Sequence, residues 1–268
     1  MARQELEIYK LLAELESSGE GGVVCTIIRS RGSTPRHTGS KILVYADGHF
    51  VGTVGGGEVE ARVIREALDA LRDGSPRILS YDMVDPSQGD PGVCGGQLEV
   101  YVEPIVSRAT LLVIGGGHVG KAVAHLARWL DFRVAVSDDR AEFCTPEANP
   151  DAEIFLPVAM SDLPSSIKIS PQTYIVLTTR GISVDTQGLP ALLESKAAYI
   201  GVIGSKRRWM MTRNSLLGMG VSVEAIDRVR SPIGLELNAE TPEEIAVSIM
   251  AEIIMLRNNG NGHPMKME

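Results

Sequence analysis

The run Gly115-Gly116-Gly117-His118-Val119-Gly120 has the residue types and spacing of a phosphate-handling turn. Gly115, Gly117 and Gly120 fill the three glycine positions of a dinucleotide fingerprint. These serve the tight turn, the close approach of backbone to a pyrophosphate, and the packing of the next helix on the preceding strand. A helix starting there offers free backbone N–H groups to an anion. Asp138 stands where an acidic residue would accept a ribose hydroxyl. Asp139 and Arg140 leave the nucleotide open, since the Asp pair favours a ribose hydroxyl and Arg140 a 2′-phosphate. His118 reads either as a polar contact or proton donor at a crevice, or as a helix-start residue facing water.

Two further loops fall at the ends of expected strands. Thr178-Thr179-Arg180-Gly181 follows one and Gly204-Ser205-Lys206-Arg207-Arg208 follows another. Ligands of open α/β sheets bind outside the carboxyl ends of the strands. Arg180, Ser205 and Lys206 are therefore candidate ligand contacts. The plainer alternative for these cations is a solvated helix start.

The first half holds three loops of similar interest. Arg31-Gly32-Ser33-Thr34-Pro35-Arg36 is a rigid polar turn, with Ser33 and Arg36 as candidate contacts. Gly55-Gly56-Gly57-Glu58 runs from a strand into a helix, so its backbone N–H groups can form an anion-binding nest. No Gly-Lys-Ser/Thr follows, so it is not a Walker A loop. Gly92-Val93-Cys94-Gly95-Gly96 places a thiol between glycines in a loop, where it is open to activation as a thiolate. Cys25, in an apolar run, reads as a small buried hydrophobe, and Cys144 as incidental. The sequence lacks the His spacing of a zinc hydrolase and the Gly-x-Ser-x-Gly elbow of an α/β-hydrolase.

The elements that must position these loops divide into two patterns. Residues 1–105 read as a small α+β domain. A first helix carries Leu6, Tyr9, Leu12, Ala13 and Leu15 on one face, and strands follow over 23–29, 41–46 and 49–54. Asp47-Gly48 forms a hairpin turn. A helix over 58–72 and strands over 77–83 and 97–103 complete the domain. Residues 110–260 alternate strands (111–114, 133–136, 152–156, 173–178, 198–203) with helices (118–130, 184–194, 207–218), which implies a Rossmann-type, doubly wound parallel sheet. Thr241-Pro242-Glu243-Glu244 carries a capping box opening a last helix to about Arg257. The fold class is α/β, with a smaller α+β domain in front. Net charge is −8 and aromatics are 4%, which argues against nucleic acid as a partner. The sequence shows neither a signal peptide nor a transmembrane run, and its three cysteines suit a reducing compartment, so a cytoplasmic protein is expected.

The run Gly32–Arg36, the segment Gly55–Glu60 and the loop Cys94–Gly96 resemble the N-terminal domain of the XdhC/CoxI family of xanthine dehydrogenase accessory factors. Gly115–Gly120, Asp138–Arg140, Tyr199–Ser205, Ser231–Leu235 and Thr241–Ala246 are similar to the family's Rossmann domain. The resemblance implies a maturation chaperone rather than a catalyst. It would bind molybdenum cofactor (molybdopterin), assist its sulfuration and pass it to a molybdenum hydroxylase such as xanthine dehydrogenase. A cysteine desulfurase is an implied partner, and Cys94 the thiol that approaches the metal or relays sulfur. Two departures bear on mechanism: Glu58 stands where some members have Cys, and Ile182 replaces a His after Thr179-Arg180-Gly181. An NAD(P)-dependent oxidoreductase using the crevice, with Cys94 or His118 near the substrate, is the alternative, and a nucleotide-sensing module a third. A homodimer is expected from the need to cover sheet edges.

Overall fold

The computed structural model describes residues 2–18, 21–83, 95–105 and 108–265, so Cys94 lies outside the described residues. The chain forms two compact units, Met1–Ser107 and Arg108–Glu268.

The first unit opens with α1 (Ala2–Ser18) and a five-stranded antiparallel sheet of order β3-β2-β1-β5-β4. Its strands are β1 (Gly22–Arg31), β2 (Lys41–Tyr45), β3 (Phe50–Gly52), β4 (Arg77–Asp82) and β5 (Gln97–Ile105), with α2 (Gly57–Asp73) between β3 and β4. Val59, Val63, Ala67 and Ala70 of α2 pack on Val23, Cys25, Ile27, Ile42 and Val44. The opposite sheet face, with Val24 and Leu43, takes Ile8 and Leu15 of α1. The expected face of α1 is thus corrected. Ile8, Leu11, Leu12 and Leu15 form the inward stripe, while Leu6, Tyr9 and Ala13 face solvent. Their spacing keeps one helical face better than the set beginning at Leu6. The Asp47-Gly48 turn is present, with Gly48 at φ 86° and the Asp47 carboxylate accepting the His49 N–H at 3.0 Å.

The second unit is a six-stranded parallel sheet of order β11-β10-β9-β6-β7-β8. The strands are β6 (Thr110–Ile114), β7 (Arg133–Ser137), β8 (Ile154–Leu156), β9 (Thr173–Leu177), β10 (Tyr199–Val202) and β11 (Val229–Arg230). The helices are α3 (His118–Trp129), α4 (Leu163–Ser166), α5 (Ile182–Leu193), α6 (Lys206–Gly218), α7 (Val223–Asp227) and α8 (Pro242–Arg257). Counted along the chain, this is the dinucleotide-fold order, with its switch point between β6 and β9. The central strands are unbroken apolar runs because both faces are covered. Leu111 and Val113 join one core with Ala124, Ala127, Ile249 and Ile253 of α3 and α8. Leu112 and Ile114 point the other way, into Leu189, Leu192 and Leu216 of α5 and α6. The Thr241–Glu244 capping box forms as expected. The sequence reading missed α4, α7 and β11, which are too short to show periodicity. Among the described residues, no helix is long and apolar enough to cross a membrane.

Candidate functional site

The glycine turn after β6 is built by mutual exclusion of side chains. Gly120 lies in the first turn of α3, and a Cβ there would sit 1.9 Å from the Gly115 carbonyl oxygen. Gly115 has φ 109°, and its Cβ would meet the Thr178 carbonyl oxygen at 2.7 Å. The Thr178 hydroxyl donates to the Gly115 carbonyl at 2.7 Å, so the end of β9 holds the turn from beside it. A Cβ on Gly116 would strike the Phe143 carbonyl at 2.3 Å, and Asn149 donates to both the Gly116 and Phe143 carbonyls at 3.2 and 2.7 Å. Gly117 differs from these. Its φ is −72°, open to any residue, and among the described residues nothing lies within 4 Å of its Cβ position. No side chain caps α3 at that point. The missing side chain serves no internal packing and leaves room at a helix N-terminus, which is what an anion needs.

Asp138 is 5% exposed and its carboxylate is fully engaged. One oxygen accepts the Arg140 N–H and Nε at 3.0 and 2.9 Å. The other accepts the Gly116 N–H at 3.0 Å and an Arg140 Nη at 2.9 Å. Burial pushes its pKa upward, but the Arg140 guanidinium and the Arg140 and Gly116 amides outweigh that, and the pKa is lowered. Asp138 thus ties the turn to the end of β7.

A cavity of about 190 Å³ opens beside the turn. Ile114, Met160 and Val184 supply apolar lining, and Asp138, Asp139, Arg140, Thr179 and Arg180 supply polar lining. A wider cleft of about 510 Å³ lies next to it, lined by Gly181, Ile182, Ser183, Ser205, Arg207, Arg208 and Met211. Arg180 lines both. Its guanidinium pairs with Asp139 through bonds of 3.1 and 2.9 Å. Gly181 begins α5 without a side-chain cap, and nothing lies within 4 Å of its Cβ position. Arg208 is a brace. It reaches the fully buried Asp185 at 2.6 Å and the Thr179 hydroxyl and carbonyl at 2.9 and 3.2 Å. The Thr179 hydroxyl also bonds Asp185. Ser205 caps α6 by accepting the Arg208 N–H at 3.2 Å. Lys206 and His118 are exposed at the starts of α6 and α3, and neither lines the two cavities.

In the first unit the structure brings three of the singled-out loops together. A Cβ on Gly32 would meet the Gly95 carbonyl at 3.1 Å, and one on Gly96 the Ser33 carbonyl at 2.2 Å. A Cβ on Gly55 would meet Pro35 at 2.7 Å. The Ser33–Arg36 turn therefore touches both the glycine loop before α2 and the Gly95–Gly96 segment, with Ser33, Arg36 and Gly95 exposed. The nest itself is filled from within. One Glu60 carboxylate oxygen accepts the Thr53 hydroxyl at 2.5 Å and the Val54 and Gly56 N–H groups at 3.2 and 3.3 Å. Gly56 and Gly57 have φ of 75° and 60°, and among the described residues nothing lies within 4 Å of their Cβ positions. Glu58 faces outward, pairing with Arg62 and Arg65 at 3.0 and 3.4 Å. The two described cysteines are buried free thiols. Burial pushes Cys25 up to about 12 and raises Cys144 as well, which suppresses thiolate chemistry at both. Among the described residues no cluster of three or more His, Cys, Asp and Glu could hold a metal.

Sequence reasoning passed over Asn149 and gave Thr178 and Glu60 no role of their own within the runs that contain them. Thr178 carried a signal, being a hydroxyl at a strand end opposite the glycine turn. Asn149 carried none, because its partners are main-chain carbonyls set by the fold.

Comparison with known proteins gives this arrangement a family. Residues 111–253 match the XdhC Rossmann domain, and residues 15–82 match the XdhC and CoxI family. An uncharacterized Escherichia coli (strain K12) protein, YqeB, is 36% identical over 96% of this chain and 47% of its own length. The molybdenum cofactor insertion chaperone PaoD of the same organism is 24% identical over 93% of this chain and 88% of its own. A probable xanthine dehydrogenase subunit of Bacillus subtilis (strain 168) is 31% identical over 59% of this chain and 46% of its own. The chain thus spans about half the length of YqeB and of the Bacillus subtilis protein. A crystal structure described as a xanthine dehydrogenase from Bacillus halodurans shares the fold, with a TM-score of 0.51 at 23% identity, covering 96% of this chain and 97% of that one. With more than half of its residues in the matched Rossmann domain and the matched N-terminal region before it, the chain belongs to the XdhC and CoxI family.

Proposed function

We propose that this protein is a maturation chaperone. It binds molybdenum cofactor, shelters it during sulfuration, and passes it to a molybdenum hydroxylase of the xanthine dehydrogenase type. The reading is supported by the relationship to PaoD, whose name states that role and which aligns with nearly this whole chain. The observation that carries it on the molecule is Gly117, a glycine that neither packing nor backbone requires, at an uncapped helix start beside Arg180. Molybdopterin carries a phosphate, which suits amides at a helix N-terminus and a guanidinium. Gly117 and Arg180 would hold that phosphate, and the wider cleft with Ile182, Arg207 and Met211 would take part of the pterin. Cys94 is the proposed sulfur-relay thiol, with a cysteine desulfurase as donor. The working form is a cytoplasmic homodimer.

The alternative is an NAD(P)-dependent oxidoreductase, favoured by the strand order and the glycine turn. Against it, each Asp138 oxygen already accepts two hydrogen bonds, which occupies the usual acceptor of a ribose hydroxyl. Each of the two crevice carboxylates is already paired with an arginine.

The test is reconstitution of apo-hydroxylase with cofactor, a sulfur donor and this protein. Active enzyme is expected with the parent. A large loss with Cys94→Ala and undiminished cofactor binding would assign the thiol to sulfuration. Reconstitution no better than without the protein would overturn the proposal, and binding of NAD(H) or NADP(H) alone would favour the oxidoreductase.

A further inference from the structure

Asp139 follows β7 and Arg180 follows β9, while β6 lies between those strands in the sheet. Their bidentate pair, at 3.1 and 2.9 Å, therefore spans the end of β6, where the glycine turn begins. Both side chains line the 190 Å³ cavity, and Arg180 also lines the wider cleft. The Arg180 side chain is 50% exposed and that of Asp139 47%, so water screens the attraction. Nothing else holds Asp139 as firmly as Asp138 is held. Asp138 has four donors and is buried, whereas among the described residues the hydrogen bonds at Asp139 come from Arg180, with Arg140 adding only a longer-range attraction.

We propose that Asp139 is a specificity-determining residue. It is an internal competitor that occupies the Arg180 guanidinium until a ligand anion able to displace a carboxylate takes it. The proposal rests on the crevice being the ligand site, as put forward above, and names the group that gains entry. A hydroxyl or a neutral amide cannot replace a bidentate carboxylate on a guanidinium. A phosphate dianion can, because it offers more charge and the same two-oxygen geometry. Ligands carrying phosphate therefore open the pair, and uncharged ligands of equal size meet it closed. Arg180 is freed in the same step to serve whichever cavity holds the phosphate.

The test is a double-mutant cycle on the full chain, read by calorimetric titration with inorganic pyrophosphate at fixed ionic strength. Asp139→Asn keeps the shape and removes the competing charge. Its affinity should rise about two- to fivefold, the range an exposed ion pair represents. In the Arg180→Ala background the same substitution should give no rise, since there is no guanidinium to release. An equal rise in both backgrounds would mean a diffuse charge effect and would overturn the proposal. So would no rise in either, or no pyrophosphate binding by any variant. Thermal midpoints of the four proteins establish that each is folded. The cycle uses no molybdenum cofactor. An intact cycle alongside failed reconstitution would sink the chaperone reading and leave Asp139's role standing.

Discussion

In the N-terminal unit the glycine loop Gly55–Gly57 closes around a carboxylate of its own chain, Glu60. In the C-terminal unit the turn Gly115–Gly117 is backed by Asp138 but leaves Gly117 and the start of α3 open. Both loops run from a strand into a helix, and neither helix has a side-chain cap at its first position. The difference lies in where the internal anion sits. Glu60 occupies the concave side of its nest, where a phosphate would go. Asp138 takes the Gly116 N–H and ties it to Arg140, and no side chain among the described residues caps α3 at Gly117. A glycine-rich loop is therefore an anion site only if the chain has not already supplied the anion. By that criterion the second unit is the better host for a ligand phosphate.

Four substitutions probe the contrast. The largest effect is expected at Gly120. Ala normally stabilises a helix relative to Gly, but here its Cβ would meet the Gly115 carbonyl, so Gly120→Ala should cost about 3 kcal/mol or more in urea unfolding. Asp138→Asn should follow at about 2 kcal/mol, having lost charge-assisted bonds to Arg140 and to two amides. The folded pKa of Asp138 lies below its unfolded value, so its contribution is fully present above roughly pH 4 and is lost as pH falls through the lowered folded value. The deficit of the variant relative to the parent should shrink below that point in a pH series of unfolding curves.

Glu60→Ala should lose about 1–2 kcal/mol, because the Val54 and Gly56 amides lose their acceptor. It should recover part of this in phosphate buffer, with a rise in thermal midpoint that the parent does not show. Absence of that rise would mean the nest is no anion site even when emptied. Gly117→Ala should be the mildest, within about 0.5 kcal/mol, since the new methyl meets nothing and the backbone suits it.

The sequence made the second unit legible nearly element by element, because Leu111–Ile114 and Thr173–Leu177 are apolar runs bounded by glycine or threonine loops. Thr241–Glu244 announced α8 through two reciprocal hydrogen bonds that depend on neighbours alone. What stayed hidden depended on distant partners. Arg208 reads as a surface cation at a helix start, yet it braces the buried Asp185, 23 residues earlier in the chain. Glu60 reads as one more acidic residue on α2, and only its curl back to Val54 and Gly56 shows the nest filled. Leu6 and Tyr9 also recur at helical spacing, and the sheet that Ile8 and Leu15 meet shows which face turns inward.

The most direct test of the account is a titration of molybdenum cofactor, released from a donor enzyme, into the parent, Gly117→Val and Gly57→Val, each checked for a cooperative unfolding transition. Binding is expected for the parent, with loss in Gly117→Val, where the side chain fills the open space at the start of α3, and retention in Gly57→Val. Retention in Gly117→Val with loss in Gly57→Val would place the cofactor on the first unit and contradict the account.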